Sequence, residues 1–392
     1  CFPSVLNVPG KIDLALVITP AKIVPLVMRE CAEKKIPSAI IISAGFAETG
    51  DEGRKLQEEV AEIARKGRMR LLGPNTLGVI RPSMDLNASF APSMPPEGRI
   101  AFIFQSGALA DSVIDRAIKE EEGFSALVGL GNKSDLDETD FIRFFSEDKE
   151  TKVIALYLEG IERGRRLMQV ARKCRKPIIM LKGGRTKEGG EATASHTGHL
   201  AGDYNVLKGA MKQCRVLLVD SLEELFDLAK VFEEQPLLKK NGIAIVSNGG
   251  GAGVLCTDYC KEFGLNLVPL KEETLKKLDK HMHHAYSRRN PLDIVGDALP
   301  ERYKAAIEAL LAEDYVYGLI VIQTLQTMTK PEENAKTVVE AHKKFPSKPI
   351  VCAFMGGQFS EPGMKYLESR GIPDFQDPKR AAMAMAALAG LL

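Results

Sequence analysis

The side chains best suited to covalent chemistry lie in a stretch rich in small residues, 183–203, with the sequence GGRTKEGGEATASHTGHLAGD. It holds His196 and His199, two of the six histidines of the chain. An imidazole is nucleophilic near neutral pH and therefore suits a transferable group. An apolar strand pattern precedes the stretch and a helical pattern begins near Tyr204, so we expect a mobile connection without regular structure. The alternative is a surface loop whose histidines have no role.

A glycine-rich turn follows a strand pattern at 243–247 and precedes a helical pattern that starts at Val254. Backbone N–H groups at such a turn approach an anion closely because no side chain intervenes. The spacing matches neither the GxxxxGK[ST] loop nor a dinucleotide-binding GxGxxG turn. We therefore predict a phosphate site formed by Gly249, Gly250, Gly251, Ala252 and Gly253.

Two further strand ends carry groups that suit a phosphate. Ser106 and Gly107 connect an apolar strand to a helical pattern, which places a hydroxyl and N–H groups at a helix N-terminus. Glu159 ends another strand, where its carboxylate either faces a ligand crevice or is a solvated turn residue. A polar loop at 132–135 also suits the lining of such a site.

Small residues end three successive strands in the first part of the chain. Since the carboxyl ends of parallel strands share one edge of a sheet, these residues suit an elongated ligand that lies across that edge. Turn formation alone is the alternative. The residues concerned are Pro20, Ala21 and Lys22, then Ser43, Ala44 and Gly45, then Gly73, Pro74 and Asn75.

Strand and helix patterns alternate along the whole chain, which predicts an α/β protein with three open, doubly wound parallel sheets. The predicted strands are 13–19, 38–43, 69–72, 99–104, 124–128, 153–158, 177–181, 243–247, 318–323 and 349–354. The predicted helices are 23–34, 51–66, 109–119, 140–146, 254–263 and 334–344. Linker composition at 94–98 and 235–242 predicts domains at 1–93, 94–236 and 237–392.

Composition argues against several classes of protein. Lys and Arg total 53 against 52 Asp and Glu, so no net charge attracts nucleic acid or an anionic membrane. The seven cysteines form no CxxC pair, and no apolar run is long enough to span a bilayer, so we expect a cytoplasmic protein. His281, His283 and His284 lack neighbouring ligands at metal spacing and are interpreted as a surface turn.

A histidine that accepts a phosphoryl group would use these parts: N–H donors and helix dipoles for the phosphate, and a carboxylate for the other ring nitrogen. Five spaced segments, SHTGHLAG, GRIAFIFQSGALADSV, LLGPNTLGVI, YLEG and SNGGGAGVLCTDYCKEFG, resemble the succinyl-CoA synthetase superfamily. An α chain that also carries the last of these looks like the NDP-forming acyl-CoA synthetases, which include ADP-forming acetyl-CoA synthetases. The resemblance implies a Rossmann-like CoA-binding domain followed by two flavodoxin-like ligase domains.

The resemblance also implies a role for each motif residue. His196 matches the phosphohistidine and Glu159 the glutamate that hydrogen-bonds it, whereas His199 falls where the family often has a smaller residue and is given no role. Ser106, Gly107 and the 249–253 turn would hold phosphate together with Asn75. The segments 20–22 and 43–45 would line the CoA site. The family's glycine-rich CoA loop comes earlier than any segment of this sequence, so we expect the N-terminal part of the first domain to be missing.

The implied reaction interconverts acyl-CoA, phosphate and ADP with a carboxylic acid, CoA and ATP, through an acyl phosphate and phosphorylated His196. ATP or ADP and Mg²⁺ would be held by an ATP-grasp β subunit or fused domain, so we expect a hetero-oligomer. A non-catalytic CoA-binding module and the ligase-like part of a protein acyltransferase are the alternatives. A dinucleotide oxidoreductase is set aside because no GxGxxG turn has an acidic residue about twenty positions later.

Overall fold

The computed structural model describes residues 1–120, 122–197 and 202–392, and of residues 194–197 it describes the backbone alone. The chain divides into two compact units, Cys1–Ala229 and Lys230–Leu392. Three sheets, all mainly parallel and flanked by helices, confirm the predicted α/β class. None of the helices in this described part is both long and apolar enough to cross a membrane.

The first sheet has three parallel strands in the order β1–β2–β3. Its elements are β1 (Ala15–Val17), α1 (Val24–Glu33), β2 (Ser38–Ile41), α2 (Asp51–Lys66) and β3 (Arg70–Leu72). Val24 and Met28 of α1 pack with Ile41 of β2 in a core from which solvent is excluded. The carboxyl ends of the three strands consequently share one edge, where the small residues predicted to bind a ligand lie.

The second sheet belongs to the same unit and has the strand order β10–β9–β8–β6–β7–β4–β5. Its strands are β4 (Gly78–Arg81), β5 (Leu86–Ser89), β6 (Glu97–Phe104), β7 (Phe124–Gly129), β8 (Val153–Leu158), β9 (Ile178–Lys182) and β10 (Val216–Val219). The accompanying helices are α3 (Gly107–Lys119), α4 (Glu138–Glu147), α5 (Gly164–Lys173), α6 (Lys187–Thr197), α7 (Tyr204–Gln213) and α8 (Leu222–Glu234). Strands β6 to β10 are parallel, whereas β4 is antiparallel to β5 and β7.

The β4–β5 hairpin differs from the sequence expectation, which places residues 1–93 in the first domain and gives this segment no strands. Val79 and Ile80 of β4 lie opposite Val128 and Leu127 of β7, so the hairpin extends the second sheet. Ile80 and Leu127 are both fully buried. The hairpin therefore pairs with the second sheet because this buries its apolar side chains against β7. Strands of four residues are too short for their hydrophobic periodicity to be recognised in the sequence.

The stretch 183–203 also differs from its predicted structure, because α6 occupies much of the expected loop. Thr186 caps the helix: its hydroxyl accepts a hydrogen bond from the N–H of Gly189 at 3.0 Å. Thr193 donates its hydroxyl to the carbonyl oxygen of Gly189, four residues earlier (3.0 Å). A cap and favourable alanine and glutamate residues outweigh the low helix propensity of two glycines.

The third sheet lies in the second unit and has four parallel strands in the order β12–β11–β13–β14. The strands are β11 (Ile243–Ser247), β12 (Leu292–Asp293), β13 (Gly318–Gln323) and β14 (Ile350–Phe354). The helices are α9 (Gly250–Glu262), α10 (Glu272–Leu278), α11 (Pro300–Leu311), α12 (Pro331–Lys344), α13 (Glu361–Glu368) and α14 (Pro378–Leu388). The glycine-rich turn lies at the carboxyl end of β11, as predicted.

Candidate active site

The two segments predicted to line a CoA site meet at the carboxyl edge of the first sheet. Ser43, which follows β2, donates its hydroxyl to the carbonyl oxygen of Thr19 at 2.5 Å. Gly45 lies so close to the segment after β1 that a Cβ at this position would be 3.0 Å from the Cβ of Ala21. Its φ of +104° also favours glycine. The segments 20–22 and 43–45 therefore form one continuous surface.

Little side-chain bulk covers this surface. Pro20, Lys22 and Ala44 are exposed, and Pro20 opens a 3₁₀ turn, Ala21–Ile23. An ammonium group beside a strip of small residues suits an elongated ligand that carries phosphate groups.

Glu48 joins this surface to the second sheet. Its Oε1 accepts N–H hydrogen bonds from Gly45 (2.6 Å) and Phe46 (3.1 Å), and its Oε2 accepts one from Nδ2 of Asn132 (2.6 Å). Burial on its own would raise the pKa of Glu48, but these hydrogen bonds outweigh burial and hold the pKa below its ordinary value. The carboxylate is therefore charged at neutral pH and fixes the turn after β2 against the 132–135 loop.

Asn75 stands between the same two sheets. Its backbone N–H donates to the carbonyl oxygen of Ser43 (3.0 Å), and its Nδ2 donates to Oδ1 of Asn132 (3.3 Å). Asn132 in turn donates its backbone N–H to the carbonyl oxygen of Pro74 (2.9 Å). The structure thus brings Asn75 next to the predicted CoA segments and to the polar loop after β7.

The turn before α3 has the predicted strand–turn–helix geometry. Ser106 caps the helix by accepting the N–H of Leu109 at 3.4 Å, and the helix begins at Gly107 rather than at Leu109. The first turn of a helix leaves N–H groups without partners inside the helix, which favours an anion there. Phe90 lies beside this turn, since its Cζ would be 3.8 Å from a Cβ at Gly107.

Glu159 lies at the carboxyl end of β8 and is buried. The hydroxyl of Tyr157 donates to its Oε1 at 3.3 Å. Burial, together with the neighbouring Glu159 carboxylate, raises the pKa of Tyr157 to about 12, so the phenol keeps its proton. The backbone N–H groups of Glu159 and Gly160 both donate to Oε1 of Gln105, at 2.9 and 3.1 Å.

Two buried lysines hold the carbonyl side of the same segment. Lys182, the last residue of β9, donates from Nζ to the carbonyl oxygen of Glu159 (2.6 Å) and also to that of Gly183. Lys133 donates from Nζ to the carbonyl oxygen of Gly160 (2.7 Å). Burial lowers the pKa of Lys182. The backbone that carries the Glu159 carboxylate is therefore fixed on both its N–H and its carbonyl side.

The segment that carries the histidines leaves the sheet beside Glu159. The N–H of Gly183 donates to the carbonyl oxygen of Leu158 at 2.9 Å, and a Cβ at Gly183 would lie 3.5 Å from Cγ of Glu159. Helix α6 packs against the 3₁₀ turn Ala47–Thr49, which follows the predicted CoA segment 43–45. His196 is the next-to-last residue of α6. Its side chain and the whole of His199 lie outside the described residues.

The glycine-rich turn of the second unit is the start of α9. The helix begins at Gly250, four residues earlier than the predicted start at Val254, and Gly249 caps it. A Cβ at Gly249 would lie 2.7 Å from Oγ1 of Thr324, so the turn has no room for a larger residue. The side chain of Asn248 is fixed by Thr324, which donates its N–H to Oδ1 of Asn248 at 2.7 Å.

The five predicted phosphate-binding residues of this turn are not equivalent. Gly250 and Gly251 are exposed, whereas Ala252 and Gly253 are buried. The N–H of Gly253 donates to the carbonyl oxygen of Gly249 within the helix (3.1 Å), so Gly253 has no N–H group to offer an anion. A Cβ at Gly253 would make an ordinary van der Waals contact with Pro291 at 3.6 Å.

The histidines at 281–284 form a turn. The rings of His283 and His284 lie 4.0 Å apart, and Nδ1 of His283 accepts the N–H of Ala285 at 3.1 Å. Among residues 1–120, 122–197 and 202–392, His, Cys, Asp and Glu form no group of three or more that could hold a metal ion.

Sequence reasoning missed three of the side chains that organise the first unit: Gln105, Lys182 and Glu48. Lys133 lies in the polar loop 132–135, which the sequence analysis did single out. A lysine at the end of the apolar run IIMLK and a glutamine directly before the Ser106 cap were available as signals. A polar residue at a buried strand end requires a hydrogen-bond partner, and the end of the neighbouring strand is the nearest place for that partner.

Three family models match successive parts of the chain. Residues 1–82 match the CoA binding domain, residues 97–232 the succinyl-CoA ligase like flavodoxin domain, and residues 243–389 the ligase-CoA domain. Their order agrees with the three sheets and with the fold that the motif resemblance implies.

Individual relatives give the same result. The chain is 39% identical over 99% of its length to the α subunit of acetate–CoA ligase [ADP-forming] II of Pyrococcus furiosus and spans 85% of that subunit. It is 40% identical over 99% of its length to acetate–CoA ligase [ADP-forming] I of Archaeoglobus fulgidus, of which it spans 56%. Among solved structures, the chain is similar to dinucleotide forming acetyl-coenzyme A synthetase 1 of Ca. Korarchaeum cryptofilum in complex with phosphate and ADP. The superposition includes all of this chain and 85% of that one, with a TM-score of 0.96 and 37% sequence identity. These matches confirm the resemblance, and the chain belongs to the family of ADP-forming acetate–CoA ligase α subunits.

Proposed function

We propose that this chain carries out the acyl-transfer and histidine-phosphorylation steps of an ADP-forming acyl-CoA synthetase, with acetate as the preferred acid. The observation that carries the proposal is the position of Glu159. Its buried carboxylate stands on a backbone segment fixed by Gln105 and Lys182, at the point where Gly183 begins the segment that leads to His196. A carboxylate held in this way orients a histidine ring that accepts a group.

CoA would lie along the surface formed by segments 20–22 and 43–45, with its thiol end toward Asn75. This placement is supported by the exposed Lys22 and by the hydrogen bond from the N–H of Asn75 to the carbonyl oxygen of Ser43 (3.0 Å). The first turn of α3, at Ser106 and Gly107, then offers N–H groups to the phosphate that attacks the thioester carbonyl.

The proposed reaction consists of one acyl transfer followed by two phosphoryl transfers. Phosphate displaces CoA from the acyl carbonyl and gives an acyl phosphate, and the thiolate leaves with a proton. One ring nitrogen of His196 then displaces the carboxylate from phosphorus, while Glu159 accepts a hydrogen bond from the other ring N–H. Phosphorylated His196 finally delivers its phosphoryl group to ADP. In the second unit, the N–H groups of Gly250 and Gly251 are placed at a helix N-terminus and would bind phosphate oxygens.

The nucleotide half requires groups that we assign to a partner. We propose an ATP-grasp β subunit, or a fused domain, that binds ADP or ATP together with Mg²⁺, which phosphate oxygens of the nucleotide would ligate. The functional enzyme would then be a hetero-oligomer located in the cytoplasm. Copurification of the chain with such a subunit is the direct check.

Intact-mass spectrometry after incubation with acetyl-CoA and phosphate tests the proposal. We expect an acid-labile phosphoryl adduct on the peptide that contains His196, formed by the chain alone or with its ATP-grasp partner. A panel of acyl-CoAs in the same assay identifies the acyl group. If neither the chain nor the complex, supplied with acetyl-CoA and phosphate or with ATP, gives the adduct, the chain is a CoA-binding module instead.

Replacing Glu159 by glutamine should slow phosphorylation of the chain by about 10²-fold or more, because an amide does not stabilise a positively charged ring as a carboxylate does. The affinity for CoA should stay unchanged, since Glu159 lies on the second sheet and the CoA segments on the first. Glu162→Gln, the same change at an exposed glutamate three residues later, is the control and should retain wild-type rates. Loss of CoA affinity alone in Glu159→Gln would contradict the assigned role.

Replacing Phe90 by alanine should widen the range of acids. The ring is 54% exposed beside the first turn of α3, where the acyl group would lie, so its removal leaves space for a longer chain. We expect the ratio of kcat/KM for butyryl-CoA to that for acetyl-CoA to rise at least about tenfold. Phe144→Ala is the matched control, because Phe144 is 55% exposed and stacks on Arg81 instead. An equal change of the ratio in both variants would contradict this assignment.

A further inference from the structure

Gln105 lies between Glu159 and the N-terminus of α3, the group of the first unit to which the proposed function assigns phosphate. It follows β6 directly, precedes the Ser106 cap of α3 and is 8% exposed. Its backbone N–H continues the sheet by donating to the carbonyl oxygen of Tyr157 at 3.0 Å. The side chain therefore lies at the carboxyl edge of the sheet, next to Glu159.

The orientation of the Gln105 amide is determined by its neighbours. Oε1 accepts the backbone N–H groups of Glu159 (2.9 Å) and Gly160 (3.1 Å). Two N–H groups directed at one side-chain atom require that atom to be the oxygen, so the alternative placement of the amide is excluded. The NH₂ group, Nε2, consequently points away from the Glu159–Gly160 backbone.

Nε2 of Gln105 is buried and has no hydrogen-bond partner in the part of the chain that the structure describes. A buried donor without a partner is unfavourable and rare in native proteins. The surroundings favour an anion as its partner, because the α3 N-terminus and the ammonium group of Lys182 lie at the same strand ends. The charge of Lys133 does not add to this, since it is paired with Glu138 at 3.2 Å.

The second unit has two buried glutamines. In Gln235 both ends are paired, because Oε1 accepts the N–H of Ile350 and Nε2 donates to the carbonyl oxygen of Gly371. In Gln323, Oε1 accepts a hydrogen bond from Nδ2 of Asn334, and Nε2 has no partner among the described residues.

We infer that Nε2 of Gln105 binds substrate by donating a hydrogen bond to an oxygen of the phosphate that becomes the acyl phosphate. This inference rests on the proposed function. Gln105 then has two tasks: Oε1 fixes the backbone of Glu159, and Nε2 holds the anion that reacts beside it.

Two substitutions separate these tasks in the chain assembled with its ATP-grasp partner. Gln105→Glu keeps an acceptor for the two N–H groups and removes the donor, whereas Gln105→Met removes both. ATP synthesis from acetyl-CoA, ADP and phosphate is measured at about pH 8, well above the ordinary pKa of a glutamate. We expect Gln105→Glu to raise the KM for phosphate at least about tenfold and to leave the KM for acetyl-CoA unchanged, while the buried carboxylate lowers the thermal midpoint. Gln105→Met should also lower the thermal midpoint.

Gln235→Glu is the matched control for an isosteric change at a buried glutamine, and it should lower the thermal midpoint without changing the KM for phosphate. A Gln105→Glu enzyme with the wild-type KM for phosphate would overturn the inference, since the residue would then act only through Oε1. Absence of synthesis by the wild-type complex would instead overturn the proposed function, so the two failures are distinguishable.

Discussion

Replacing His196 by alanine should lower ATP synthesis from acetyl-CoA, ADP and phosphate by more than about 10³-fold, because it removes the group that we propose carries phosphoryl between the two halves of the reaction. The phosphoryl adduct on the chain should disappear. Exchange of labelled phosphate into acetyl phosphate should continue slowly, since in the proposed mechanism that step precedes the histidine and uses the α3 N-terminus and Asn75. Steady-state synthesis and isotope exchange on the same preparation measure both effects.

His199→Ala is the matched control for His196→Ala. It removes an imidazole three residues later from the same segment, and we expect it to retain synthesis within about threefold of wild type, a change of less than 1 kcal/mol in activation free energy. If His196→Ala turned over fully, the phosphohistidine mechanism would be wrong. If His199→Ala alone lost the adduct, the nucleophile would be assigned to the wrong histidine.

Regular elements with a strong local signal could be predicted from the sequence. The expected boundaries of α2 agree with the structure because acidic residues, Asp51 and Glu52, open the helix and basic residues, Arg65 and Lys66, close it. The boundaries of β8, β11 and β13 also agree, since each is a short apolar run that is buried on both faces. In these elements the local sequence is sufficient to predict where the helix or strand begins and ends.

Elements that depend on distant partners could not be predicted in this way. The β4–β5 hairpin is placed by burial against β7, and α6 begins at a threonine cap within a stretch whose glycines suggest a loop. The site shows the same division. Ser106 and Glu159 could be proposed from their positions at strand ends. The hydrogen bonds of Gln105 and Lys182 could not, because they join residues more than twenty positions apart and leave no periodic pattern.

Replacing Gly131 by alanine should destabilise the first unit strongly, because two costs add at this position. Gly131 follows β7 with a φ of +59°, which costs an alanine about 1 kcal/mol. A Cβ would also overlap the carbonyl oxygen of Pro74 and lie 2.7 Å from that of Asn75. Backbone atoms cannot rotate away as a side chain does, so we expect a total loss of about 3 kcal/mol or more in the free energy of unfolding.

Gly10→Ala separates the two costs. Gly10 has a φ of +80° but nothing within 4 Å of a Cβ, so its substitution should cost only the backbone strain, about 1 kcal/mol. Scanning calorimetry of both variants measures the difference. Gly131→Ala should also raise the KM for phosphate, since the overlap displaces Asn75 and the N–H of Asn132 that donates to Pro74. Equal destabilisation of the two variants would mean that the Asn75 turn moves aside at no cost, and the turn would then be too flexible to position a substrate.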